Sequence, residues 1–202
     1  MKSVLISIQP KWCELIASGK KTVEVRKTAP KLEPPFKCYI YCTNKKPYLV
    51  WGDVFRGGSF ENEFTHLSGY NRKAAEEIWD VFNGKVMGEF ICNRCEDFTT
   101  NYYTMDRPQT LRIARAACLG LHELTEYEGN ALCLYGWHIS DLVIYDEPKA
   151  LSEFKKPCDN SCDNCEMLDV QEIGAYENTR EIKTCLNRIT RPPQSWCYVE
   201  GA

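Results

Sequence analysis

Strand-like segments outnumber helical ones in this chain, and helices do not alternate regularly with strands. That order excludes a doubly wound parallel sheet, which needs successive strand–helix–strand crossovers. The apolar run KSVLISI reads as a first strand, stopped by Pro10. KWCELIASG follows, with Trp12, Leu15 and Ile16 at i, i+3 and i+4 and Gly19 where a helix C-terminal cap belongs. In KTVEVRK the period changes to two: Thr22, Glu24 and Arg26 share one face, Val23 and Val25 the other. KCYIYCT is a further strand beyond a proline-rich loop.

Residues 44–73 read as a loop insertion with room for a short hairpin, and 73–82 as a helix. Residues 85–98 form a long strand, and 108–121 a helix opened by a proline. Residues 131–146 are one strand, or two with a break near Gly136. A polar, cysteine-rich tail carries a helix over 178–186, and PPQSWCYVE closes the chain as a last strand. The expected class is α+β, a small mixed β-barrel flanked by helices with a Cys-rich C-terminal elaboration. Residues 1–150 form the main domain, 151–190 the elaboration and 191–202 the closing strand of the barrel.

Charge is unevenly placed. The first 50 residues hold ten Lys/Arg and three Asp/Glu, a charge of +7 in a chain whose net charge is -3. A basic segment on an acidic body points to one positive face. The N-terminus lacks the apolar core and cleavage site of a signal peptide, and no run is long enough to span a bilayer, so a cytoplasmic protein without a membrane partner is expected.

The order strand, helix, GKKTVEVR, strand resembles the ASCH domain, a branch of the PUA-like superfamily. The residues that carry the likeness are Ile8, Pro10, Trp12, Leu15, Ile16, Gly19, Lys21, Thr22, Glu24 and Arg26. GWHISDL looks like a late strand of that domain, and RPPQSWCYVE is similar to the end of a bacterial and phage subgroup. The resemblance implies a PUA-like pseudo-barrel with a cleft beside the first helix that binds RNA or a nucleotide. Some members of the family cleave RNA, and others hydrolyse an acylated cytidine nucleoside. Those hydrolases carry a nucleophilic threonine where this chain has Glu24, and a carboxylate cannot replace that hydroxyl, so acyl-cytidine hydrolysis is not expected.

The residues suit an anion site on their own chemistry. Lys20 and Lys21 follow the helix end, and Arg26 offers a fork matched to phosphate or a base edge. Glu24 can orient that guanidinium or accept from a base amine; the plain alternative is a structural Glu24–Arg26 ion pair. Trp12, Tyr41, Trp137 and Trp196 are candidate base-stacking platforms, two or three of them core residues instead. Thr22, Thr43 and Ser195 are candidate hydroxyl contacts. Lys21 and His138 are the candidate catalytic pair for RNA cleavage. The functional expectation is an RNA- or nucleotide-binding module. A ribonuclease or nucleoside hydrolase using the same cleft is one alternative, and a phage-encoded protein docking on a host protein another.

Of twelve cysteines, Cys158, Cys162 and Cys165 stand in CDNSCDNC. Three thiols in one short polar loop suit zinc better than disulfides, which would be strained there. A fourth ligand would be Cys185, or else Cys197.

Overall fold

The computed structural model describes residues 2–56, 59–67, 69, 71–77, 80–158, 168–173 and 180–200. Its frame is a six-stranded mixed sheet curled into an incomplete barrel. The strands are β1 (Lys2–Ile8), β2 (Val23–Arg26), β3 (Phe36–Cys42), β6 (Val86–Phe98), β7 (Leu134–Lys149) and β10 (Trp196–Glu200), in the order β10-β1-β3-β6-β7-β2. Only β1 and β3 pair in parallel; the other ladders are antiparallel. The expected α+β barrel is therefore present.

β1 is buried on both faces. Val4, Ile6 and Ile8 join Phe36, Cys38, Ile40, Phe90 and Trp137 in the inner core, while Leu5 packs outward with Tyr39, Phe154 and Ile189. That explains its unbroken apolar run, in which alternation is weak. Phe154 and Ile189 lie at the two ends of the tail, so those ends cover the outer side of β1 and β3. The bridge between Lys155 and Arg188 ties those ends together.

Several local expectations are corrected. The insertion with room for a short hairpin does hold a hairpin, longer than expected, β4 (Tyr48–Arg56) with β5 (Ser59–Leu67). Its Leu49 and Phe64 enter the inner core beside Phe82. Of the helix expected over 73–82, the described part is α2 (Arg72–Glu76), and Val81 bridges to Val50 on β4. After α1 (Pro10–Ala17), the second long helix is α3 (Arg107–Ala116), and a further helix, α4 (Leu121–Glu128), follows Gly120. Its start is marked by Glu123, whose carboxylate accepts from the Gly120 N–H at 2.8 Å. Of the two readings of 131–146, the single strand is the one present: β7 runs through Gly136. In place of the tail helix expected over 178–186 there is a hairpin, β8 (Leu168–Ile173) with β9 (Arg180–Cys185). Ile182 and Thr184, β-branched at alternate positions, suit a strand.

β2 and β10 are the two edges of the sheet, and side chains rather than a ladder span the gap between them. Arg26 Nη2 donates to the Ser7 carbonyl at 2.6 Å, Trp196 Nε1 to Thr28 Oγ1 at 3.0 Å, and the Lys31 N–H to the Tyr198 hydroxyl at 2.7 Å. The cleft opens at this gap. No helix among the described residues is long and apolar enough to cross a membrane.

Candidate nucleotide-binding cleft

The cleft is built by the turn out of α1. Gly19 takes φ 71°, the left-handed geometry that ends the helix, and the Lys21 N–H returns to the Leu15 carbonyl at 2.9 Å. Two adjacent lysines thereby part company: Lys20 is exposed, and Lys21 is buried. The Lys21 ammonium donates to the Ala117 carbonyl at 2.9 Å, one of the open carbonyls that end α3, where the helix dipole favours a cation. It also stands 3.3 Å from Glu24 Oε2.

β2 then alternates as its sequence requires. Val23 and Val25 pack outward against Ile113, Ala114 and Leu124, while Glu24 and Arg26 face the cleft. Glu24 Oε1 lies 3.0 Å from Arg26 Nη2. One carboxylate therefore bridges two cations, and the side chains of Lys21, Glu24 and Arg26 are 2%, 7% and 11% exposed. The triad carries a net charge of +1 shielded from bulk water. Arg26 Nε and Thr43 Oγ1, both buried, have no hydrogen-bond partner among the described residues.

Around this floor is a cleft of about 710 Å³. Trp12, Tyr41 and Tyr127 supply rings, with the Lys21 ammonium 5.1 Å from the Trp12 ring centroid. The far wall is the segment 192–195, fixed to β1 by Ser7 Oγ donating to the Pro193 carbonyl at 2.7 Å and the Ser7 N–H to the Ser195 carbonyl at 2.9 Å. Beneath the floor, burial first and Cys42 second push the Cys13 thiol well above its ordinary pKa, so it stays protonated and inert.

Of the residues singled out in the sequence, Lys21, Glu24, Arg26, Trp12, Tyr41, Thr43 and Ser195 meet in the cleft. Lys20 and Thr22 face solvent instead. Trp137, opposite Glu24 in the β2–β7 ladder, points into the barrel, where it is fully buried against Phe36 and offers no stacking face. His138, next on β7, points outward to Glu96, with 2.5 Å between Nε2 and Oε1, and is not part of the cleft. Sequence reasoning missed Ser7, Lys45 and Tyr127. Only Tyr127 had a signal to offer, the Gly120–Glu123 cap that announces its helix.

Cys162 and Cys165 lie outside the described residues. The Cys158 N–H donates to Glu200 Oε1 at 2.8 Å, and Cys185 ends β9. Among the described residues no three metal-ligating side chains converge.

The ASCH domain model matches residues 6–191, nearly the whole chain. This protein belongs to the ASCH domain family. ASCH domains are in general RNA-binding modules of PUA-like fold. The chain is also similar to the solved ASCH protein of Zymomonas mobilis, at 15% identity over 98% of this chain and 87% of that one, with a TM-score of 0.49. A serine-to-alanine variant of that protein gives 16% identity, coverage of 98% and 88%, and a TM-score of 0.49. Its tyrosine-to-phenylalanine variant gives 18% identity, coverage of 75% and 77%, and a TM-score of 0.47. No curated protein matches the sequence. In the ASCH cleft of this chain the Glu24 carboxylate is engaged by both Lys21 and Arg26.

Proposed function

We propose that the cleft binds a nucleotide unit of single-stranded RNA, or a free nucleotide, through its phosphate and base. The observation that carries this reading is the buried Lys21–Glu24–Arg26 triad. A structural ion pair would cancel its own charge, whereas this triad keeps one positive charge at the floor of a ring-walled cleft. An anionic ligand offsets that charge, and a planar base has Trp12, Tyr41 and Tyr127 to lie against. The Arg26 and Thr43 side chains line the same cleft.

The test is fluorescence anisotropy with a short labelled single-stranded RNA. Binding weakens as salt rises, because phosphate neutralisation releases counterions. Arg26→Ala weakens binding by about tenfold or more, as loss of a charged hydrogen bond does. Arg26 also spans the barrel gap, so Trp12→Ala, which removes only a wall, is measured beside it. Absence of salt-dependent binding of RNA or nucleotide at micromolar protein overturns the reading. A ribonuclease or nucleoside hydrolase using this cleft would have to work without His138, which faces the opposite side. Capture of one host protein free of RNA would favour the docking-protein reading instead.

We propose as well that Cys158, Cys162, Cys165 and Cys185 hold a structural zinc in the tail, on the strength of the Cys-x3-Cys-x2-Cys spacing.

A further inference from the structure

The outer side of the barrel, behind the cleft, carries a second concentration of positive charge. β6 changes phase at a bulge between Cys92 and Arg94, so Cys95 packs toward the inner core while Arg94 and Glu96 come to the outside. There they meet His138 of β7 and Arg112 of α3. Glu96 accepts from Arg112 through both of its oxygens, at 3.0 and 2.9 Å, and from Arg94 Nη2 at 2.9 Å. His138 Nε2 completes the group at 2.5 Å from the same carboxylate. The Arg112 bonds, above all, hold the Glu96 carboxyl down at about 2, so it remains an anion. Even with a neutral imidazole, two guanidiniums on one carboxylate leave a net positive charge. Both arginines stay open to solvent, Arg94 by 54% and Arg112 by 48%.

This cluster continues toward the cleft. Arg115, exposed, is three residues beyond Arg112 on α3 and so on the same face of the helix. The end of α3 is tied to the strand entering β2: Cys118 Sγ lies 3.3 Å from the Lys20 carbonyl, and the Thr22 N–H donates to the Ala116 carbonyl at 2.8 Å. Exposed Lys20 therefore lies beside the C-terminal end of α3, the end that carries Arg115. Its chain neighbour Lys21 is the buried floor of the cleft. The two lysines of this turn thus place one positive charge at the surface and one in the cleft floor.

We infer that Lys20, Arg94, Arg112 and Arg115 form a second binding surface for the phosphate backbone of RNA, engaged when the strand is longer than the cleft holds. This rests on the reading of the cleft as an RNA site. Charge complementarity commits the face to RNA: the chain as a whole is net negative, yet here exposed guanidinium and ammonium groups are gathered on one side.

The experiment compares a labelled 12-nucleotide oligouridylate with a labelled dinucleotide, titrated against wild type and a Lys20→Gln/Arg115→Gln variant. Neither residue lines the cleft or touches Glu96. The expected slope of log K against log salt for the 12-mer falls by about 1.4, roughly 0.7 for each single-strand phosphate that the variant no longer neutralises. Its affinity drops by about tenfold near physiological salt, while dinucleotide binding is unchanged. Arg94→Gln alone lowers the slope by about half as much. A 12-mer that binds the double variant with unaltered slope and affinity overturns the inference and leaves the cleft reading standing. A falling slope in a protein that binds no dinucleotide supports the face and overturns the cleft. Binding of neither probe overturns both.

Discussion

Replacing Glu24 by glutamine isolates the charge of the cleft floor. The amide keeps the shape of the side chain and one acceptor oxygen, so the change is almost purely electrostatic. In the native protein the carboxylate lies 3.3 Å from the Lys21 ammonium and 3.0 Å from the Arg26 guanidinium. At such separations each pair is worth about 5–6 kcal/mol with an effective dielectric constant near 20. The cost of dehydrating the carboxylate offsets part of that sum. What remains on removal is two buried cations facing each other, and breaking a buried ion pair this way costs about 3–5 kcal/mol. Against a total stability of about 5–15 kcal/mol this is a large fraction. Urea unfolding at neutral pH, followed by tryptophan fluorescence, measures it, and added inorganic phosphate should return part of the loss by occupying the doubly charged floor. A Glu24→Gln protein within about 1 kcal/mol of wild type, well short of the cost of breaking a buried pair, would show that the triad is hydrated and that its charge is not confined.

Further outcomes are expected elsewhere. The Glu96 carboxyl is held at about 2, below its ordinary 4.5, chiefly by Arg112 and then by His138. A depressed carboxylate contributes stability that is present above pH 4.5 and lost as pH falls through about 2. Glu96→Gln should therefore be less stable by about 1–3 kcal/mol at pH 7, the full shift discounted for its half-exposed partners. Denaturant midpoints should show that gap narrowing by pH 2, and a constant gap would contradict the assignment. Gly88→Ala places a Cβ 2.3 Å from the Val143 carbonyl oxygen across the β6–β7 ladder, so a loss of about 2–3 kcal/mol, read from the urea midpoint, is expected from overpacking. Elemental analysis of protein made without a metal-affinity tag should find about one zinc per chain. Cys185→Ser should lose it and Cys197→Ser retain it; metal persisting in the first and absent from the second moves the fourth ligand onto β10.

Much of this protein is legible in local chemistry alone. Period-two and continuous apolar runs mark β1, β2, β3, β6 and β10, because a pleated strand sorts its side chains without help from the rest of the chain. α1 announces itself by its i, i+3, i+4 apolar residues, Pro10 at its start and Gly19 after its end. The stretch GKKTVEVR shows in advance that Glu24 and Arg26 share a face. Sequence does not show α4, whose LHELTEYE has only two leucines to mark a buried side, or the bridge of Val81 to Val50 on β4, a pairing with a distant segment.

The site itself divides in the same way. That lysines, a carboxylate and an arginine stand together is written in the order of residues. Which lysine is inside is a tertiary matter: Lys20 and Lys21 are chemically identical, and only the return bond to Leu15 and the open carbonyl of Ala117 select Lys21. Trp137 and His138 are likewise adjacent and equally eligible, yet the β2–β7 register sends one into the core and the other outward to Glu96. The arginine face is decided by a bulge in β6 and by the docking of α3, both contacts between segments far apart in the chain. Local sequence sets the period of each element. The phase of that period relative to the barrel, and hence the direction each side chain faces, is set by pairing and closure, which depend on the whole chain at once.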